Sequence, residues 1–275
     1  MLFVVFMKRN VDIEWNIKTH DKIAKRYARN HGEIYNEIEQ RRLRQKLQDA
    51  IFAINTDSKR KIALDFGSGA GNLTYHLSEL GCDVIAGDVS QGFLDLISSK
   101  SYKTIVQTIK LNGVDISNVS DQSVDMVATY SVLHHIPDYL SILKEFMRVL
   151  KPGGVVFIDH EPSEGFWTGD PVYSFFQNEI KYNVRQNISK YFVVNNYFDW
   201  LIRRFINPKY HREGDIHVFE DDHIEWIMIV DELMRLGGSV IQEEDYLLYN
   251  KKYDINIYNK YANRTSDYHL LIARK

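Results

Sequence analysis

Only one cysteine, Cys82, occurs in 275 residues. No internal disulfide can form, and a chain of this size without one reads as a protein of a reducing compartment. An excess of either charge is missing as well: 34 Lys and Arg stand against 37 Asp and Glu, a formal net charge of −3. That balance gives no electrostatic reason for nucleic acid as the main partner, so none is expected. Long hydrophobic runs are lacking too. Met1 to Met7 (M-L-F-V-V-F-M) is far too short to span a bilayer, has no basic stretch before it and no small-residue cleavage site after it. The expectation is a cytoplasmic protein with no membrane partner. There is no internal repeat and no low-complexity tract, and His211, His217 and His223, six residues apart, match neither H-E-x-x-H nor a zinc-finger spacing, so no metal is expected.

What is present centres on Lys61 to Thr74, K-I-A-L-D-F-G-S-G-A-G-N-L-T. A short apolar run ends at Asp65, glycines follow at 67, 69 and 71, and Leu73, Leu77 and Leu80 then recur at helical spacing. This is a buried parallel strand, a tight turn and a helix N-terminus. Glycine there permits positive φ and lets a ligand approach the backbone without meeting a Cβ, while the helix start offers free N–H groups. The dinucleotide fingerprint needs a third glycine three residues after the second; that position is Asn72. An acid at position 65 would repel a pyrophosphate and suits a ligand carrying an ammonium group.

Before this turn, Ile23, Tyr27, Ile34, Ile38, Leu43 and Leu47 mark one or two charged amphipathic helices between Thr19 and about Ile54, with Gly32 as a break. Tyr27, His31 and Tyr35 share one face, which either packs the helix on the body or forms a lid over a site. After the turn, Asp83 to Asp88 is a second strand, its final acid 17 positions beyond Gly71; in nucleotide-binding α/β folds an acid there takes ribose hydroxyls, the bland alternative being a turn residue opening the next helix. Ile109 to Val114 reads as a third strand, followed by Asp115 and Ile116, which either hold an adenine or merely punctuate the strand end. Ser123 to Tyr130 is a fourth, and Asp138 caps a helix with Leu140, Leu143, Phe146, Met147 and Leu150 on its apolar side. Lys151-Pro152-Gly153-Gly154 stops that helix, and Val155 to Asp159 is a fifth strand.

Strands alternating with helices predict a doubly wound, mostly parallel Rossmann-like sheet, with ligands beyond the carboxyl ends of the strands. Between Pro162 and Gly238 the alternation stops, and 15 of the 35 aromatic residues fall in these 77 positions. A helical cap over an organic substrate fits that enrichment, with His217 and His223 as candidates to face it. Ser239 to Tyr249 and Tyr268 to Ala273 then complete seven strands, the last one antiparallel.

L-D-F-G-S-G-A-G (64–71), G-D-V-S around Asp88, G-V-D-I (113–116), S-V-L-H-H-I-P-D (131–138) and V-L-K-P-G-G (149–154) stand in the order and spacing of one family. They resemble the class I S-adenosylmethionine-dependent methyltransferases, in particular those acting on quinone precursors and sugars. The resemblance implies a Rossmann-like core at 59–161 and 239–275; the residues themselves suggest an N-terminal helical lid or cap at 1–58 and a substrate cap at 162–238, a stretch that matches no general motif of the family. It implies S-adenosylmethionine as cofactor and S-adenosylhomocysteine as product. By it, Gly67, Ser68, Gly69 and Gly71 hold the methionine moiety with Asp65 beside its amino group. Asp88 with Val89 takes the ribose, Asp115 with Ile116 the adenine, and Tyr130 begins the segment flanking the methyl group. Tyr27, His31, His217 and His223 would meet a small-molecule acceptor, and His135 or His160 would take its proton. An NAD(P)-dependent oxidoreductase and a non-catalytic subunit retaining the fold are the alternatives, and a homodimer is left open.

Overall fold

The computed structural model describes residues 33–187 and 224–275. Tyr27, His31, His217 and His223 lie outside the described residues, as does the Met1–Met7 stretch.

Seven strands form one sheet: β1 Ile62–Phe66, β2 Asp83–Asp88, β3 Val106–Lys110, β4 Val124–Tyr130, β5 Leu150–Pro162, β6 Ser239–Tyr246 and β7 Tyr268–Arg274. Their spatial order is β3-β2-β1-β4-β5-β7-β6. The β1–β2, β1–β4, β2–β3 and β4–β5 pairs are parallel, while β7 runs antiparallel to both β5 and β6. The order reverses between β1 and β4, so the crevice at the carboxyl ends of these two strands is the switch point.

Alternation along β1 divides the core. Leu64 and Phe66 face one side with Val127, Phe146, Ile229 and Leu233; Ala63 faces the other with Leu43, Leu47, Leu73, Leu77 and Phe157. Two helices cover the first face, α4 (Tyr139–Val149) and α7 (Trp226–Arg235); α1 (Glu37–Phe52) and α2 (Asn72–Glu79) cover the second. Both faces being covered is why β1 and β4 read as continuous apolar runs rather than alternating ones. Between them come α3 (Gln91–Ser98), α5 (Glu164–Thr168), α6 (Pro171–Asn187) and α8 (Ile255–Tyr261), with Phe176 and Ile180 of α6 packing against Tyr261 of α8.

Caps set several helix starts. Asn36 accepts from the Glu39 N–H at 3.0 Å, and Asp138 accepts from Ser141 N–H at 3.2 Å, as the sequence predicts for α4. Three boundaries differ from the expectation. The third strand ends at Lys110, because Asn112 accepts the N–H groups of Val114 and Asp115 at 2.8 and 2.9 Å and turns the chain out of the sheet. The sixth ends at Tyr246, because the carboxylates of Asp267 and Glu39 take the N–H groups of Leu248 and Tyr249. The fifth is longer than expected, already pairing at Leu150.

The C-terminal end of the aromatic-rich stretch is core, not cap. Ile224, Trp226, Ile229 and Leu233 are buried against α4 and the sheet, whereas Ile227 and Met228 are exposed. Trp226 starts the buried stripe of α7, and its indole N–H donates to the Pro162 carbonyl at 2.8 Å.

Candidate functional site

At the switch point the glycine turn is stitched to the tip of β2. The N–H groups of Gly67 and Ser68 donate to the Gly87 carbonyl at 2.9 and 3.0 Å, and Gly69 N–H donates to Asp88 at 2.8 Å. The second oxygen of Asp88 accepts from Ser90 N–H at 2.7 Å. Gly67, Gly69 and Gly71 have φ of 71°, 47° and 85°. A Cβ on Gly67 would lie 2.5 Å from a Val132 methyl, whereas one on Gly69 would meet nothing nearer than 4.0 Å. The first glycine therefore admits the β4 loop, and the second leaves the backbone open toward the crevice.

Two adjoining compartments result. The larger, about 1030 Å³ with its open mouth, is bounded by Phe66, Gly67, Gly69, Asp88, Val89, Phe93, Leu111, Val114, Asp115, Tyr130, Ser131, Val132, His135 and Ile136 among others. The smaller, about 380 Å³, is bounded by Tyr35, Asp65, Gly67, Ser68, Gly69, Asn72, Tyr130 and Ser131 among others. Gly67, Gly69, Tyr130 and Ser131 belong to both. No lysine or arginine is among the described lining residues.

The smaller compartment carries an electrostatic demand. Asp65 is buried and forms no ion pair among the described residues; its one side-chain partner is the Thr74 hydroxyl. Burial pushes its carboxyl up to about 7, against the Thr74 hydrogen bonds. Nearby, the Ser68 hydroxyl is buried with no hydrogen-bond partner among the described residues; the Tyr130 hydroxyl, likewise without one, lies toward Arg42 and Asp159. Tyr35, brought in from the segment before α1, has its phenol pushed up to about 12 by burial and by Asp65. A buried carboxylate with no cationic partner among the described residues, beside an unpartnered hydroxyl, fits a zwitterion: an ammonium on the first, a carboxylate on the second.

The larger compartment is mostly apolar, with acids at its rim. Asp115 is held below the usual carboxylate range by the Ser117 hydroxyl and N–H and by Asn112. Backbone outliers mark the end nearest β5: Ser131 and His160, both non-glycine, have φ of 60°. Such conformations cluster where a fold over-determines its backbone at a site.

Of the residues singled out from the sequence, Asp65, Gly67, Ser68, Gly69, Asp88, Val89, Asp115, Tyr130 and His135 line one or both compartments. Three do not. Ile116 is fully buried in the core beneath the sheet, and Val114 and Leu111 form the apolar wall instead, because the turn at Asn112 reverses the facing of the segment. Gly71 is the left-handed N-cap of α2, with its missing side chain directed at Ile97 and Tyr102. His160 lines neither described compartment: its buried ring sits between those of Tyr130 and Tyr268, centroids 4.5 and 4.2 Å away. The apolar wall residues Phe93, Leu111, Val114 and Ile142 were not legible as site residues, since burial and ligand contact select the same residue types.

These features define a class. Residues 64–158 match the methyltransferase domain family, and the sheet order, switch-point crevice and glycine turn are those of the class I S-adenosylmethionine-dependent methyltransferase fold. S-adenosylmethionine is the cofactor that this family and fold imply, in agreement with the resemblance read from the sequence. Among particular relatives, the tRNA 5-carboxymethoxyuridine methyltransferase of Escherichia coli is 29% identical over 144 residues, 50% of this chain and 54% of that protein. The ubiquinone biosynthesis O-methyltransferase of Acinetobacter baumannii is 29% identical over 100 residues, 35% of this chain and 42% of that protein. A solved S-adenosylmethionine-dependent methyltransferase from Mesorhizobium loti superposes with a TM-score of 0.52 at 15% identity, covering 82% of this chain and 96% of that one. The chain spans about half the length of the curated relatives it matches. Among the described residues no helix is long and apolar enough to cross a membrane.

Proposed function

We propose that this chain moves a methyl group from S-adenosylmethionine to an oxygen or nitrogen of a small organic molecule. The observation that carries the reading is Asp65, a buried carboxylate with no cationic partner among the described residues, set beside the unpartnered Ser68 hydroxyl in a compartment that opens into an apolar one. When bound, S-adenosylmethionine supplies a methyl group already activated by its sulfonium. The chain's own residues then bind and orient. Asp65 accepts from the amino group, Ser68 donates to the carboxylate, and Tyr130 bounds the methionine end. Asp88, its oxygens already fixed by two backbone N–H groups, accepts from the ribose hydroxyls. Val89, Leu111 and Val114 shield the adenine, with Asp115 at its rim.

Alignment of acceptor and methyl supplies most of the acceleration in an in-line displacement. His135, at the wall of the larger compartment, holds or removes the acceptor's proton. His160, between two tyrosines, supports Tyr130 from behind. Asp65 beside the glycine turn, and Asn72 where the dinucleotide fingerprint needs its third glycine, speak against a pyrophosphate-bearing nicotinamide cofactor. The segment before α1 serves as a lid, supported by Tyr35 at the smaller compartment, and the insertion up to the start of α7 as the acceptor cap.

The tRNA methyltransferase relative favours a second acceptor class, a modified nucleoside within RNA. The net charge of −3 favours the small molecule. Calorimetric titration with S-adenosylmethionine tests the cofactor, and methyl-labelled donor offered separately to a metabolite extract and to total tRNA tests the acceptor. No heat and no thermal shift with the donor would remove the reading; label entering only the tRNA would replace the acceptor class.

A further inference from the structure

Glu161 was not singled out by any motif, yet it is completely buried beside the site. One of its carboxylate oxygens accepts the N–H groups of both Val132 and Leu133, each at 2.7 Å. The other accepts the N–H of His134 at 3.4 Å and lies 2.7 Å from that residue's Nδ1. A buried carboxylate is costly unless its lone pairs are filled. Here they are filled by three successive backbone donors and an imidazole, all from the loop that follows β4. The donors open the short 3-10 turn Leu133–His135, so the charge also sits at its positive end.

That loop forms the wall between the two compartments. Ser131 borders both of them, and its left-handed backbone is fixed by an N–H bond to the Asp159 carbonyl at 3.0 Å. Val132 presses on the glycine turn, its methyls where a Gly67 side chain would be. His134 lies against His135, ring centroids 4.0 Å apart, and His135 faces the larger compartment. One carboxylate on β5 thus holds the partition, the contact with the glycine turn and the orientation of the candidate proton acceptor.

We propose that Glu161 is a positioning residue for methyl transfer: by gripping Val132, Leu133 and His134 it fixes the wall against which the methionine end of the donor is held. This rests on the reading of the two compartments as one donor site. Glu161→Gln preserves volume but turns one oxygen into an N–H donor, which must face donors of the loop. In that reading the adenosine end is held from the β2 and β3 side, by Asp88, Val89, Leu111 and Val114, and meets this loop only along the wall it shares with the methionine end. The experiment is calorimetry of wild type and Glu161→Gln with two probes, S-adenosylhomocysteine and adenosine, alongside hydrogen exchange of the loop amides.

The expected result is that Glu161→Gln weakens S-adenosylhomocysteine by about tenfold or more, the scale of loss for a misplaced contact, while adenosine affinity stays within about twofold. In the wild type, the amides of Val132 and Leu133 are protected from exchange. Equal affinities of wild type and variant for both probes would overturn the inference, and so would a parallel loss for both with a lowered melting temperature, the mark of a residue that only supports the fold. If the variant does not fold, the wild-type exchange decides: unprotected amides at 132 and 133 sink the grip. A wild type that binds neither probe brings down the donor reading itself, and this inference with it; that outcome is distinguishable because it appears before any substitution is made.

Discussion

Asp65 offers the sharpest test, because its cost to the fold and its use in binding have opposite signs. Its carboxyl is pushed from an ordinary 3.8 up to about 7 by burial. Some three units at ~1.4 kcal/mol each put the cost of holding it ionised near 4 kcal/mol, an upper bound once the site relaxes. Between those two values the folded state binds the proton more tightly than the unfolded chain. Asp65 therefore costs nothing at low pH, erodes stability as pH rises toward 7, and costs its full amount above that. A ligand ammonium reverses the preference. Below pH 7, binding must release a proton, and affinity for S-adenosylhomocysteine falls about tenfold per pH unit. Asp65→Asn is expected to flatten that profile, to weaken binding at pH 8, and to raise donor-free stability at pH 8 by up to about 4 kcal/mol. Asp267, also pushed up to about 7 by burial, is common to both proteins and cancels in the difference. Titration at pH 6 in two buffers of different ionisation enthalpy counts the proton directly, and denaturant melts at pH 8 give the stability. No proton released by wild type, or an Asn variant less stable at pH 8 than its parent, would refute the reasoning.

Other substitutions separate binding, chemistry and folding. Asp88→Ala removes the acceptor of the Gly69 and Ser90 N–H groups and is expected to weaken S-adenosylmethionine by about 100-fold or more, read by calorimetry, because two oriented amides lose their partner together with the ribose contact. His135→Ala is expected to leave donor affinity unchanged while slowing methyl transfer by about 10²–10⁴-fold, read in single-turnover assays once an acceptor is found. A similar loss in donor affinity would assign His135 to binding. Arg42→Ala strands Asp159, which it contacts at 3.0 and 3.3 Å, and is expected to destabilise the fold by about 3–5 kcal/mol in chemical melts. Phe146→Ala, at the centre of the larger core cluster, is expected to cost a similar ~3–5 kcal/mol, with less effect on donor affinity at temperatures where it folds.

How far the sequence reaches depends on which interactions are local. Strand β2 is legible to the residue, and the Asp138 cap, the glycine turn and the antiparallel pairing of the last two strands follow directly from pattern, because period, capping and turn chemistry act over a few positions. The acids at strand tips are legible for the same reason: a parallel sheet places every strand end on one edge, so position in the strand stands in for position in the site. Errors begin where one residue decides the facing of several. At Asn112 a single side chain captures two N–H groups and carries Ile116 into the core, leaving Val114 at the wall. At Trp226 the indole N–H reaches the Pro162 carbonyl, 64 positions earlier, a contact no local pattern encodes.

The most consequential residue missed, Glu161, shows why the rest was out of reach. Nothing about a glutamate after D-H at a strand end distinguishes a solvated carboxylate from one that fills three backbone donors 27 to 29 positions earlier in the chain. Its meaning comes from the pairing of β4 with β5, which brings Tyr130 opposite Asp159 and so sets the β4 loop beside the residue two further on. Packing of α1 on the sheet places Arg42 against Asp159, and Asp159 in turn accepts the His160 N–H at 2.8 Å and the Tyr246 hydroxyl at 3.0 Å. Motifs therefore mark the strand tips, where the proposed reading puts the donor's charges. The groups that hold these motifs in place are buried charges on neighbouring strands, and only the register of the sheet reveals which loop each one serves.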